Sequence, residues 1–332
     1  MEPVVAVAGA RSYWRMGGGN MSPVDNAVQA VARPDFFIIG APRSGTTALS
    51  EYLRANPHIC FAEPKETQFF CTDMPEIRLC DTEAEYMERF FSHCLGRHVQ
   101  ATGDGSVWHL YSGTAIENIL NYAPAARFIV MIRNPVDMVI ALYEKLFELL
   151  WEDQSTFEKA WRMQDQRRAG RGVPKRCANP KLLLYRDIGL LGEQLAHFYA
   201  AVPQQQRLTI VFDDFASSPG EVYSRVLDFL GVTHDGRVEF PRLNEGRHVR
   251  SRWLMDFASH PPAWLVSVVS GMKRILGIRR LGVTPAMRRA LLVPRKEKPV
   301  VTETFRKELA ECFAGDIDKL SRLIGRDLSH WK

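Results

Sequence analysis

Phe36-Phe37-Ile38-Ile39-Gly40-Ala41-Pro42-Arg43-Ser44-Gly45-Thr46-Thr47 runs from four apolar residues through a glycine loop to two threonines. Gly40 and Gly45 have the spacing of the glycines in the phosphate loop G-x-x-x-x-G-K-[ST], but Thr46 stands where the lysine belongs. In the ordinary loop that lysine reaches the β- and γ-phosphates, and the next hydroxyl holds Mg²⁺. What remains here is a nest of backbone N–H groups at a helix N-terminus, with Arg43 able to clamp phosphate oxygens in pairs. Such a loop suits one strongly charged 5′ group held without a metal.

Outward from the loop, strands and helices alternate. Residues 36–39, 128–132 and 208–212 read as buried parallel strands, each followed by a helix. Residues 46–55 form the first helix, with Leu49, Tyr52 and Leu53 on its apolar face and Asn56-Pro57 as the stop. Asn134-Pro135 reads as an N-cap and first helical residue, before an apolar face of Val139, Ile140, Tyr143, Leu146, Phe147 and Leu150. Ser218-Pro219-Gly220-Glu221 reads as a capping box, with Gly231 as the stop of that helix. The pattern predicts an α/β fold: a P-loop-like parallel β-sheet with helices on both faces, plus a C-terminal helical segment. Ligands of such sheets lie beyond the carboxyl ends of the strands, so Arg133, closing one strand before a helix N-terminus, marks a second anion site. Pairing of Arg133 with Asp137 is the structural alternative.

The chain has 332 residues, 46% of them hydrophobic, and a formal net charge of +5. Residues 272–298 hold Lys273, Arg274, Arg279, Arg280, Arg288, Arg289, Arg295, Lys296 and Lys298 against Glu297 alone, so the basicity belongs to this segment. Nothing global points to a nucleic acid. The six cysteines include no C-x-x-C pair and no histidine at zinc spacing, so they are expected to be reduced thiols in a cytoplasmic protein that holds no metal. No apolar run is long enough to span a membrane. Residues 1–33 read as a flexible leader, with Met16 and Met21 as alternative starts, residues 34–260 as the α/β domain and 261–332 as a helical extension packed on it. Trp264, Leu265, Val268, Val269 and Met272 form an apolar helical stripe before the basic cluster. It is read as a cap with a solvated basic face, as a weak peripheral contact with an anionic membrane through 261–298, or as a basic face that recruits a polyanionic acceptor.

Residues 37–49 closely resemble the 5′-phosphosulfate loop of sulfotransferases that use 3′-phosphoadenosine 5′-phosphosulfate (PAPS), P-[KR]-S-G-T-T. Arg133-Asn134-Pro135-Val136-Asp137 resembles that family's 3′-phosphate motif, R-N-P-x-[DE], in the expected order and separation. Weaker likeness extends through residues 211–215 and 226–232 and returns at Gly325-Arg326-Asp327-Leu328-Ser329-His330-Trp331. The resemblance implies transfer of a sulfuryl group from PAPS, without a metal, to an acceptor hydroxyl, less readily an amine. Arg43, Ser44, Gly45, Thr46 and Thr47 would hold the 5′ end and Arg133 the 3′-phosphate, with Arg43 also stabilising the departing phosphate. Glu66, in Glu66-Thr67-Gln68-Phe69-Phe70, falls on the general base of relatives with a glutamate before x-x-Phe-Phe, and Phe69 and Phe70 are expected to desolvate it. Glu63 and His109 are the reserve bases, and Glu66 paired only with Lys65 or Arg43 is the structural alternative.

The chain also departs from the family. Ala141 stands eight residues after Arg133, where relatives place a serine on the 3′-phosphate, and Asp104-Gly105 shows no second catalytic lysine. Trp108 is read as a core residue or a platform for a substrate ring. Gly246 and Arg247, with Arg250 and Arg252, are the candidates for a basic loop over the nucleotide. The acceptor is left open among small molecules, carbohydrates and lipids. Two rival readings remain: a P-loop nucleotide kinase, against which Thr46 argues, and a nucleotide-binding pseudoenzyme.

Overall fold

The computed structural model describes residues 33–241, 247–249, 292–294 and 301–332. The leader, Gly246, Arg250, Arg252 and most of 261–298, including the apolar stripe and basic cluster, lie outside these residues. In chain order the elements are β1 (Phe36–Gly40), α1 (Thr46–Arg54), β2 (Ile59–Phe61), α2 (Glu83–Phe91), β3 (Ala101–Gly105), α3 (Ala115–Tyr122), β4 (Arg127–Ile132) and α4 (Pro135–Glu148). Three short helices follow, α5 (Phe157–Arg162), α6 (Gln164–Arg168) and α7 (Tyr185–Gly189), then α8 (Leu191–Ala201), β5 (Arg207–Val211), α9 (Phe212–Ser217) and α10 (Pro219–Leu230). The antiparallel pair β6 (Arg247–Val249) and β7 (Leu292–Pro294) precedes α11 (Glu303–Ile324).

The main sheet has the order β2-β3-β1-β4-β5 and every pairing in it is parallel. Its strands alternate between two cores, as a period of two dictates. Phe37, Ile39, Phe128 and Val130 face the core made with α2, α3, α4, α8 and α11, whereas Phe36, Ile38, Ile129 and Met131 face α1 and α10. Both faces are covered, and so β1 reads as an unbroken apolar run. β1 lies between β3 and β4, so residues 40–47 leave the sheet where the order reverses, the place where such sheets bind ligands.

The expected strands and helices appear within a residue or two, but two local expectations fail. Ser218 makes no side-chain cap: its N–H closes the preceding turn on Asp214 O at 2.8 Å, and its ψ of 64° does not aim the hydroxyl at the first amides of α10. The cysteines are not all free. Cys60 of β2 is bonded to Cys94, with Cα atoms 6.0 Å apart, because Glu63 N donates to Phe90 O and draws the end of α2 beside β2. Cys71, Cys80, Cys177 and Cys312 are thiols. His93 joins Cys60 and Cys94 in a group with the reach of a metal site, although the disulfide occupies both sulfurs.

The C-terminal segment closes the carboxyl side of the sheet. Leu309, Phe313, Ile317 and Leu320 bury one stripe of α11, and Asp316 accepts Gly192 N at 2.7 Å and Glu193 N at 2.9 Å at the start of α8. Trp331 Nε1 donates to Asp213 at 3.0 Å and Arg326 pairs with Asp214, so the 325–331 motif is tied to the first turn of α9.

Candidate functional site

The loop after β1 is shaped by what its glycines omit. Gly45 caps α1 at φ 88°, and a Cβ there would sit 3.1 Å from the Phe212 ring. Side chains are excluded, so the first amides of α1, which have no intrahelical acceptor, stay open to an anion. Ser44 is fully buried with its hydroxyl turned toward Pro42 O, whereas Gly45, Thr46 and Thr47 line a cavity of about 510 Å³. Arg43, Glu66 and Gln68 take left-handed backbone angles (φ 59°, 71° and 53°) and all three line that cavity. For residues other than glycine this conformation carries a cost and concentrates at working sites.

Arg133 reaches the loop. Its Nη1 donates to Arg43 O at 3.1 Å and its guanidinium lies 4.7 Å over the Phe212 ring. Asp137 pairs with Arg306, which disposes of it as the partner of Arg133. Asn134 caps α4 as expected, accepting from Val136 N at 2.9 Å. Burial pulls the Arg43 guanidinium below its ordinary pKa, Glu144 and Glu148 raise it, and Arg133 lowers it again. Its Nε is buried with no hydrogen-bond partner. A buried unpaired donor beside open amides fits a phosphate-sized anion.

The lysine absent from position 46 arrives from elsewhere. Lys65 Nζ lies 3.5 Å from Thr46 Oγ1 and pairs with Glu66, and its side chain is nearly buried. A Cβ on Gly105 would come within 3.0 Å of Lys65 Cε, so the glycine next to Asp104 makes room for this stem. Lys65 was not among the expected site residues; its position next to Glu66 was the only signal.

Glu66 is held at three points. One oxygen meets Lys65, and the other accepts Gln68 Nε2 and Val107 N, each at 2.9 Å. The expected desolvation by its aromatic neighbours has no basis: Phe69 stacks on Tyr86 at 4.4 Å and Phe70 is in the core. Beneath the 66–68 turn, Asp104 accepts Thr67 Oγ1 at 2.7 Å, Tyr86 OH at 3.0 Å and Ser106 Oγ at 3.3 Å, while Gln68 N donates to Ser106 Oγ at 3.1 Å. Burial pushes the Asp104 carboxyl up from 3.8 to about 6 against the pull of the Thr67 and Tyr86 hydrogen bonds, and Glu66 adds to the rise. The stability from a protonated Asp104 is therefore present below pH 3.8 and lost as pH rises through about 6. Urea unfolding of Asp104→Asn and the parent should show their difference moving toward the variant by about 2 kcal/mol between pH 4 and pH 7.5. Parallel curves would count against this assignment.

Of the reserve bases, Glu63 is exposed and does not line the cavity. His109 is fully buried, and burial followed by the charge of Lys65 drives it down to about 3, leaving a neutral ring packed edge-on to Phe70. Ala141 does not line the cavity either; Leu142 and Lys145 of the same helix do. Trp108 is 7% exposed, a core residue as one reading expected, and it also lines the cavity. Arg247 opens β6, and its side chain is outside the description.

A model of the Sulfotransferase family matches residues 34–236. Carbohydrate sulfotransferase 15 of Homo sapiens is 23% identical over 248 residues, 60% of this chain and 44% of that protein, so the chain spans less than half its length. A sulfotransferase from Alicyclobacillus acidocaldarius has the same fold, with a TM-score of 0.66 and 24% identity over 91% of this chain and 99% of that one. The family match takes in the whole parallel sheet and every cavity residue named above, more than a shared phosphate loop requires: the chain belongs to the sulfotransferase family.

Proposed function

We propose that this protein moves the sulfuryl group of PAPS to an acceptor hydroxyl, with Glu66 as general base. The observation that carries the reading is that Arg43, Arg133 and Glu66, from three separate segments, line one cavity. PAPS supplies an activated sulfuryl group and two phosphate anchors. The amides of α1, with Arg43 and Lys65, would neutralise the 5′ end, and Arg133 would hold the 3′-phosphate. Glu66, fixed by Gln68 and Val107, would accept the proton of the attacking hydroxyl. Position and preorganised charge then make up most of the catalysis, as in other transfers with loose in-line transition states.

The human relative's name speaks of carbohydrate, which is one candidate acceptor class. The expectation of a cytoplasmic location rested on free thiols, and the Cys60–Cys94 bond removes that support. Among the described residues no helix is long and apolar enough to cross a membrane.

Incubation with labelled PAPS and an acceptor library, read by mass spectrometry for added sulfate, tests the reading directly. Donor binding without transfer to any acceptor would favour the pseudoenzyme. Arg133→Ala should weaken binding of the desulfated product PAP by about 10- to 100-fold in calorimetry, the effect of losing a charged hydrogen-bond pair. Unchanged affinity would remove Arg133 from the nucleotide site.

A further inference from the structure

We infer that the acceptor is an alcohol or phenol carried on a compact apolar body, and not an anionic glycan; this rests on the sulfotransferase reading above. The base is approached through hydrocarbon. Glu66 accepts Val107 N, which places Trp108 beside it, and Leu79 N donates to Thr67 O at 3.2 Å, which ties Leu79 to the same turn. Leu79, Ile77, Trp108, Leu142, Leu149 and Trp151 all line the cavity that Glu66 lines. Leu142 and Leu149 are seven residues apart, on one face of α4 as it runs away from Arg133 and the loop. The apolar wall thus extends from the phosphate grip outward.

Leu79 adds a separate observation. It is 39% exposed, one of only three large hydrophobic residues exposed among those described, and it stands on the cavity. An apolar side chain left in water beside a base is accounted for by an apolar acceptor that covers it.

Charge points the same way. Apart from Arg43 and Arg133, which the reading assigns to the nucleotide, the described cation that lines the cavity is Lys145, and Glu148 already pairs with it at 3.0 Å. Glu144 and Glu148 both act on Arg43, so acidic groups lie close to the cavity. A sulfated or uronate-bearing chain would meet these carboxylates, and among the described residues no cavity-lining cation is left over for it once the nucleotide is held. A neutral sugar would leave hydroxyls unpaired against leucine and tryptophan, the arrangement that costs most in a dry pocket.

The test measures PAP binding by calorimetry, then PAPS-dependent sulfation by the full chain of 1-alkanols from butanol to decanol, 4-alkylphenols, glucose and a heparin oligosaccharide. Expected are PAP binding and a kcat/KM that climbs roughly three- to fivefold per methylene until the wall is covered, with both sugars far below the longer alcohols. Leu79→Asp, at an exposed position that tolerates charge, should lower kcat/KM for decanol by about tenfold or more and leave PAP affinity as it was. PAP binding with sulfation of sugars preferred, with no chain-length dependence, or with no alcohol sulfated overturns this inference and leaves the nucleotide site standing. Failure to bind PAP overturns both.

Discussion

Glu66→Gln is expected to lower sulfuryl transfer by about 10²- to 10⁴-fold, the usual worth of a positioned base, with kcat and kcat/KM falling together. The substitution preserves shape but not chemistry. A glutamine oxygen can still accept Gln68 Nε2 and Val107 N, which leaves its amide NH₂ facing the Lys65 ammonium. The side chain can no longer take a proton, and Lys65 loses its counter-ion. Lys65 and the loop remain in place, so PAP should bind the variant at least as well as the parent. Single-turnover measurement with saturating PAPS separates the two effects: a slow chemical step with intact binding is the expected result. Near-normal turnover would take Glu66 out of the mechanism.

The largest effect on stability is expected at a pair that no motif singles out. Arg167 Nη1 and Nη2 each meet a Glu152 oxygen at 2.6 Å, and both side chains are fully buried. Tyr185 OH adds a third donor at 2.7 Å, and the amides of Asp153 and Gln154 give two more at 2.9 Å. Arg167→Met would leave the carboxylate in the core without its cation, a change that costs about 3 to 5 kcal/mol. Set against a total stability on the order of 5–15 kcal/mol for a globular protein, this is a large share. The urea midpoint of the variant should fall accordingly. Adding Glu152→Gln should recover part of the loss, because a neutral glutamine can keep its one oxygen on the two amides and turn its NH₂ toward the Tyr185 hydroxyl oxygen. An unchanged midpoint in Arg167→Met would show that water reaches this pair. Trp151 of the cavity wall directly precedes Glu152, so the same bidentate contact also steadies one side of the site.

What could be read from the chain was local. The apolar runs of β1, β4 and β5 announce themselves because strands covered on both faces need no polar positions, and Gly45 announces the phosphate loop because φ 88° with an aromatic ring behind it admits little else. Arg133 and Asn134 were legible as a strand end followed by a helix cap. What was not legible depends on the path of the chain between elements. Lys65 acts at Thr46 only because its stem crosses Gly105 of another strand, and Cys60 meets Cys94 only because α2 returns to the edge of the sheet. The face of α4 was read in part: Val139, Tyr143 and Leu146 are buried, Ile140 and Phe147 are half-buried, and Met138 and Leu142 belong to the buried set. Periodicity finds an apolar stripe but does not divide it between core and cavity.

The adjacency of Lys65 and Glu66 has a consequence for anyone who would re-engineer this protein. In the ordinary phosphate loop the cation that grips the ligand and the group that acts on the second substrate are held by different segments, and each can be exchanged alone. On the function proposed above they are neighbours on one turn, supported by Thr67 and Gln68 through Asp104 and Ser106. A new acceptor that calls for a displaced base would drag the lysine off Thr46, whereas the apolar wall on Leu79 and α4 can be recut without touching either charge. Changes of acceptor are therefore best sought in the wall, with the 65–68 turn kept as one part.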